Sequence, residues 1–257
     1  MDLVFPPYLN IIYFMENKTR TYVWGIPTRL FHWMLVVSLV GAYIAEEDFL
    51  TLHVAFGYTA GLLIVIRLCW GLIGPEYSHF RDFPISINSI AGFLKGIGKS
   101  DKVYTGHNPL ASVVMLGIML MVLLVVFTGL LTLNQEGGQG LLKSFTLPAG
   151  IEFKEVHEVC VQILIGLTIL HLLGIISDLI IHKSASVLKS IITGYKSGIA
   201  AKDAELNTFQ KIFSVVWIVG PLLAFYLTVT GPSLQLKEEE GEGESTEMYE
   251  NESDEDE

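Results

Sequence analysis

Seven histidines, His32, His53, His79, His107, His157, His171 and His182, hold most of the chemistry open to this chain. An imidazole can move a proton near neutral pH. In its neutral form it can also bind a metal through either ring nitrogen, and it is a standard axial ligand of haem iron. His32, His53, His157 and His171 stand in or at the edge of apolar runs. An ionisable group at such a place is costly and marks a functional position. His157 and His171 are 14 residues apart; on an α-helix that is about 21 Å of axis and nearly four turns, so both rings point to one side. Arg67, 14 residues after His53, is a further charge within an apolar run. A buried guanidinium needs an anionic partner. The two cysteines, Cys69 and Cys160, lie in neither a CxxC nor a CxxCH pattern, so they are expected to act as small apolar residues.

Membrane-crossing helices are the elements that must position these side chains. Hydrophobic residues make up 51% of the 257 and the mean hydropathy is +0.50. Five apolar runs approach the roughly 20 residues needed to cross about 30 Å of hydrocarbon: about 31–45, 52–74, 109–133, 156–181 and 212–231. Backbone groups in lipid must pair internally, which favours helices, and strand-like alternation is absent. The expected fold is an all-α integral membrane protein, with Pro221 kinking the fifth span. Lys18, Arg20 and Arg29 precede the first span; Arg81, Lys95, Lys99 and Lys102 follow the second; Lys183, Lys189, Lys196, Lys202 and Lys211 follow the fourth. Glu46, Glu47 and Asp48 occupy the loop after the first span, and the loop after the third holds only Lys143 and Lys154 as cations. The positive-inside rule then puts the N-terminus in the cytoplasm and the C-terminus outside.

That orientation sorts the histidines by depth. His53 and His157 fall near the outer surface, His32 and His171 nearer the inner one. Two stacked macrocycles fit between them, with His53 and His157 as one axial pair and His32 and His171 as the other. Arg67, near the inner end of its span, would face the inner haem's propionates, or else snorkel or pair with Asp178. Gly57, Gly61, Gly129 and Gly174 suit either a flat ring or plain helix packing. His79, His107 and His182 read as surface or interfacial groups, with His107, in GHNP, the exception to watch as a substitute ligand or a quinone contact. The net charge of −11 is local: residues 238–257 hold 12 of the 27 acidic residues and no Lys or Arg. That tail is expected to be disordered. Residues 1–21 read as an extension, without the basic start of a secretory signal.

The stretches VWGIPTRLFHW (23–33), LHVAFGY (52–58), RLCWGLIG (67–74), FRDF (80–83), GHNPL (106–110), EVHE (155–158), LHLLGII (170–176) and IITGYK (191–196) resemble the bacterial di-haem cytochrome b561 family. That family is related to the cytochrome b subunits of nickel–iron hydrogenases. Its opening motif usually has Asp where Gly25 stands. The resemblance covers about 22–197 and implies a four-helix transmembrane haem-binding bundle; outside it, 198–232 reads as linker and fifth transmembrane helix and 233–257 as acidic tail. It implies two non-covalent b-type haems ligated by His32, His53, His157 and His171, in a bacterial inner membrane. It also implies electron transfer between the quinone pool and a separate redox protein; the acidic tail lies outside the resemblance, and an external tail would attract a basic periplasmic haem or other redox protein by charge. No nucleic-acid partner is expected. The rivals are a membrane anchor within a hydrogenase-like or other oxidoreductase complex and a haem-free transporter; the few other polar residues in the spans disfavour the transporter.

Overall fold

A computed structural model describes residues 20–45, 49–96, 104–182 and 187–231. Lys18, Lys99, Lys102, Lys183, the Glu46–Asp48 acids, the extension before Arg20 and the acidic tail lie outside the described residues. The chain runs through strand β1 (Arg20–Tyr22), helix α1 (Ile26–Ile44), α2 (Leu50–Ile73), a 3-10 turn (Phe80–Asp82) and α3 (Ile87–Gly96). It continues through α4 (Pro109–Gly137), α5 (Phe153–His182), α6 (Val187–Thr193), strand β2 (Tyr195–Ser197) and α7 (Thr208–Thr230). Five of these, α1, α2, α4, α5 and α7, are long and apolar enough to cross a membrane.

The ends of the spans follow local chemistry. α1 starts at Ile26, ahead of the expected position, because Pro27 supplies a preset φ in the first turn; His32 is therefore inside the helix. α4 opens on Asn108, whose side chain accepts from Ala111 N at 2.8 Å, with Pro109 next. It closes on Gly138 in the left-handed region, φ 59°. A capping box of Asn207 and Gln210 opens α7. Gln210 also donates to the carbonyl of Ile73 at 2.7 Å, tying α7 to the end of α2. α7 runs as one helix through Pro221.

α2 is the hub. It packs against α1, α4 and α7, while α5 packs along α4 and meets α6 near its end. The core comprises Phe31 of α1, Leu63, Ile64 and Trp70 of α2, Met119 and Val122 of α4, Leu164 of α5 and Trp217 of α7. Trp217 sits 5.1 Å from Trp70 and 5.3 Å from Phe31 between ring centres, so the fifth span is part of the core. Small residues let helices close up: a Cβ on Gly61 would fall 2.9 Å from Val126, and one on Gly41 would fall 2.6 Å from Phe56.

One end of the bundle is belted. β1 pairs antiparallel with β2, Thr21 opposite Lys196. Val23 and Trp24 donate their N–H groups to Gly194 O, at 2.8 and 3.1 Å. Gly194 has φ +89°, and a Cβ there would lie 2.9 Å from the Trp24 carbonyl oxygen, so a side chain is excluded on both counts. Asp203 accepts from Tyr22 N at 2.6 Å, and Arg29 donates to Ile192 O at 2.6 Å.

Candidate functional site

The histidines gather at two ends of the bundle. Where α1 ends and α2 begins, His53 of α2 faces His157 of α5. Their ring centres are 6.1 Å apart and their planes 76° to one another. His53 Nδ1 is 2.9 Å from Ala42 O of α1. His157 Nδ1 is 3.0 Å from Val125 O and 3.1 Å from Thr128 Oγ1, both of α4. A carbonyl oxygen only accepts, so each Nδ1 must carry the proton. Thr128 gives its own hydroxyl proton to Leu124 O at 2.8 Å, which leaves its lone pairs to accept. Both Nε2 atoms then keep their lone pairs and are metal-competent. A carbonyl holding the far ring nitrogen is the usual support of a ligating histidine.

At the opposite end stand His32 in the second turn of α1, Arg67 toward the end of α2, His107 just before α4, and His171 on α5. His32 and His171 lie within electrostatic reach of each other. His32 Nδ1 is sealed from solvent with no hydrogen-bond partner. Arg67 is buried, its guanidinium 5.1 Å from the centre of the Phe80 ring, and its Nη1 has no hydrogen-bond partner. Asp178 accepts from Val187 N at 2.7 Å, and its charge acts on Lys196.

Two residues here depart from the sequence expectation. His107, grouped by sequence with the surface or interfacial histidines though singled out as their exception, packs its ring between Trp24, at 4.9 Å, and Phe83, at 5.1 Å, and its Nδ1 is sealed without a partner. Burial, then the charges of Arg67, Lys196 and His171, lower its pKa from 6.5 to about 3. Loop chemistry in GHNP pointed outward, but strand β1 carries Trp24 across the loop. Lys196, counted from sequence as a cytoplasmic charge, is buried and donates to Tyr104 O. Burial lowers its pKa, against an opposing effect of Asp178. His79, by contrast, is a loop residue, its Nδ1 3.5 Å from Asp82. Of His182 only its place at the end of α5 is described.

The four glycines divide. A side chain on Gly57, one turn from His53, or on Gly174, near His171, would meet no atom within 4 Å. Gly61 packs on Val126, and a Cβ on Gly129 would fall 3.1 Å from the His157 ring. Beside the 75–108 loop a cleft of about 390 Å³ is lined by residues including Tyr77, Asp82, Phe83, Tyr104 and His107. Among the described residues no three His, Cys, Asp or Glu side chains converge on a point. Two facing imidazoles suit an iron that brings its own ring of nitrogens.

Known proteins show the same pattern of likeness. The profile of the prokaryotic cytochrome b561 family matches residues 23–194. The probable Ni/Fe-hydrogenase B-type cytochrome subunit of Bradyrhizobium diazoefficiens is 24% identical over 154 residues, 49% of this chain and 62% of that protein. The probable Ni/Fe-hydrogenase 1 B-type cytochrome subunit of Escherichia coli K12 is 22% identical over 160 residues, 51% of this chain and 67% of that protein. The matched segment thus spans about two thirds or less of either relative's length. No solved structure matches the chain significantly.

Proposed function

Because this chain belongs to the prokaryotic cytochrome b561 family, a multi-pass membrane electron-transfer cytochrome with b-type haem, we propose that it holds two haems and passes electrons between the membrane quinone pool and a separate redox protein. The observation that carries this is the facing of His53 and His157. An iron–imidazole bond of about 2.0 Å on each side, with about 1.1 Å from ring nitrogen to ring centre, puts two axial imidazole centres about 6 Å apart. The 6.1 Å between these rings fits that spacing.

The chain's own groups supply position and environment. His53 and His157 would hold the outer haem, and His32 and His171 the inner one. Ala42, Val125 and Thr128 hold the Nδ1 side of the outer rings, which would leave Nε2 to a metal. Gly57 and Gly174 leave room for a flat ring against α2 and α5. Arg67, with its unpaired Nη1, would offset a propionate charge at the inner site. Haem, when bound, supplies a one-electron couple. An iron held by two such histidines would offer a substrate no open position, which suits electron transfer. A quinol gives up two electrons and two protons on oxidation, and the cleft beside His107 is where we place its head group. In this reading the protein sits in a bacterial inner membrane with the belted end cytoplasmic. The acidic tail is then outside, where it would attract a basic redox protein.

A second reading is favoured by the relatives' descriptions: a membrane-anchoring cytochrome b subunit of a hydrogenase-like complex. Purification from haem-replete cells tests the first reading. The expected result is a dithionite-reduced b-type spectrum, about two haems per chain, and reduction by a quinol without any other subunit. A colourless chain overturns the haem assignment. A di-haem chain that a quinol reduces only with a partner subunit present supports the second reading.

A further inference from the structure

The inner end of the bundle holds more buried positive charge than one arginine. Arg67 is 3% exposed and Lys196 5%. An aromatic seam joins Arg67 to His107: Phe80 lies under the Arg67 guanidinium, Phe80 meets Phe83 at 5.6 Å between ring centres, and Phe83 meets His107. Trp24 closes the far side of His107 and is itself held by Ser190, its Nε1 donating to Oγ at 3.2 Å. Lys196 Nζ donates to Tyr104 O, and Tyr104, Phe83 and His107 line one cleft, which brings Lys196 to the same compartment; the charges of Arg67, Lys196 and His171 act on His107 there. The one acid whose charge acts on Lys196 is Asp178, already occupied by Val187 N, and no acid among the described residues acts on Arg67. A guanidinium sealed in a low-dielectric interior with an unpartnered Nη1, as Arg67 is, is strongly unfavourable, and among the described residues Asp178 is the single acid whose charge acts on either cation. The arrangement calls for an anion that arrives with a ligand.

We propose that Arg67, His107 and Lys196 form one anion pocket that takes the propionate carboxylates of the inner haem. Arg67 and Lys196 are the charge partners, and His107 is a neutral hydrogen-bond donor between them. The pocket rests on the di-haem reading and extends it. It lies beside His171, the ligand assigned to that haem. It also gives a reason for the burial of a strand residue, Lys196: with β1 paired to β2, Lys196 would be available to a carboxylate of a bound haem. The same charge chemistry could be met by a lipid phosphate, but Phe80, Phe83 and Trp24 wall the compartment with rings.

The test uses the full chain carrying His157→Ala, which keeps only the inner pair. Haem-free protein in detergent is titrated with protohaem and with its dimethyl ester, whose carboxylates are blocked, and uptake is read from the absorption spectrum. The free acid should bind about tenfold or more tightly than the ester, and Arg67→Gln or Lys196→Gln should erase that preference. In the chain with all four histidines, each variant should still load the outer haem, which shows that it folds. Equal binding of acid and ester overturns the pocket while leaving the di-haem reading intact; the ester comparison needs no pocket substitution, so it decides even where a variant misfolds. Binding of neither form overturns the inner-haem assignment along with the pocket. Phospholipid phosphate that co-purifies, disappears in the variants and leaves the acid preference unchanged would assign the pocket to a headgroup instead, against the proposal.

Discussion

His171→Ala should remove one haem and leave the other, since each proposed pair draws one ligand from α5. The pyridine haemochrome assay should fall from about two haems per chain to about one; loss of neither would refute the ligand role. Thr128→Val removes one of the two acceptors of His157 Nδ1 and keeps Val125 O. The imidazole becomes less electron-rich, so the outer haem's midpoint potential should rise by roughly tens of millivolts with haem content unchanged. His107 predicts a pH dependence. Its folded pKa is about 3 against 6.5 for the ordinary group, so between those values the unfolded chain binds a proton that the folded chain refuses. Stability of the haem-free protein is therefore full above about pH 6.5 and falls as pH drops, at a slope approaching 1.4 kcal/mol per unit. Thermal unfolding in detergent from pH 7.5 to 4.5 should show the slope, and His107→Gln should flatten it. The four proposed ligands were legible in the sequence because charge inside an apolar run is conspicuous at any resolution. His107 and Lys196 were not, because what buries them is Trp24 and Tyr104, far away along the chain.

At the scale of elements, hydropathy found all five spans, since each is an uninterrupted apolar stretch with a polar boundary. It placed the start of α1 too late because Thr28 and Arg29 lower the average, whereas Pro27 and the turn geometry start the helix. The short α3, α6 and the strand pair escaped notice. β1 and β2 have three residues each and lie far apart in sequence, so neither carries a periodic signal of its own. Two glycine substitutions separate packing from cofactor space. Gly71→Ala would put a Cβ 2.1 Å from Phe80 Cε2, so the ring under Arg67 must move. A cost of about 1–3 kcal/mol is expected with or without haem. Gly57→Leu meets open space, so the haem-free chain should melt as before while outer haem uptake falls. Equal haem uptake in Gly57→Leu and the unaltered chain would place the macrocycle elsewhere.

For the whole molecule, the body of the chain is nearly neutral and its asymmetry lies in where the cations fall. The belt at the β1–β2 end gathers Arg20, Arg29, Lys196 and Lys202, while at the other end Lys143 lies in the α4–α5 connection and Lys154 in the first turn of α5. With Cys69 and Cys160 replaced by Ala, a cysteine at Ser144 should react with a membrane-impermeant maleimide in spheroplasts, and one at Ser89 should react only after lysis. The reverse pattern would invert the proposed topology. The belt has a further consequence for how the protein is filled. A barrel hooped at one end opens by swinging out its least buried stave, and among the five spans that is α5. A flat pigment would slip in from the lipid side past that stave, and α5, bringing one of the proposed ligands to each level, would shut behind it.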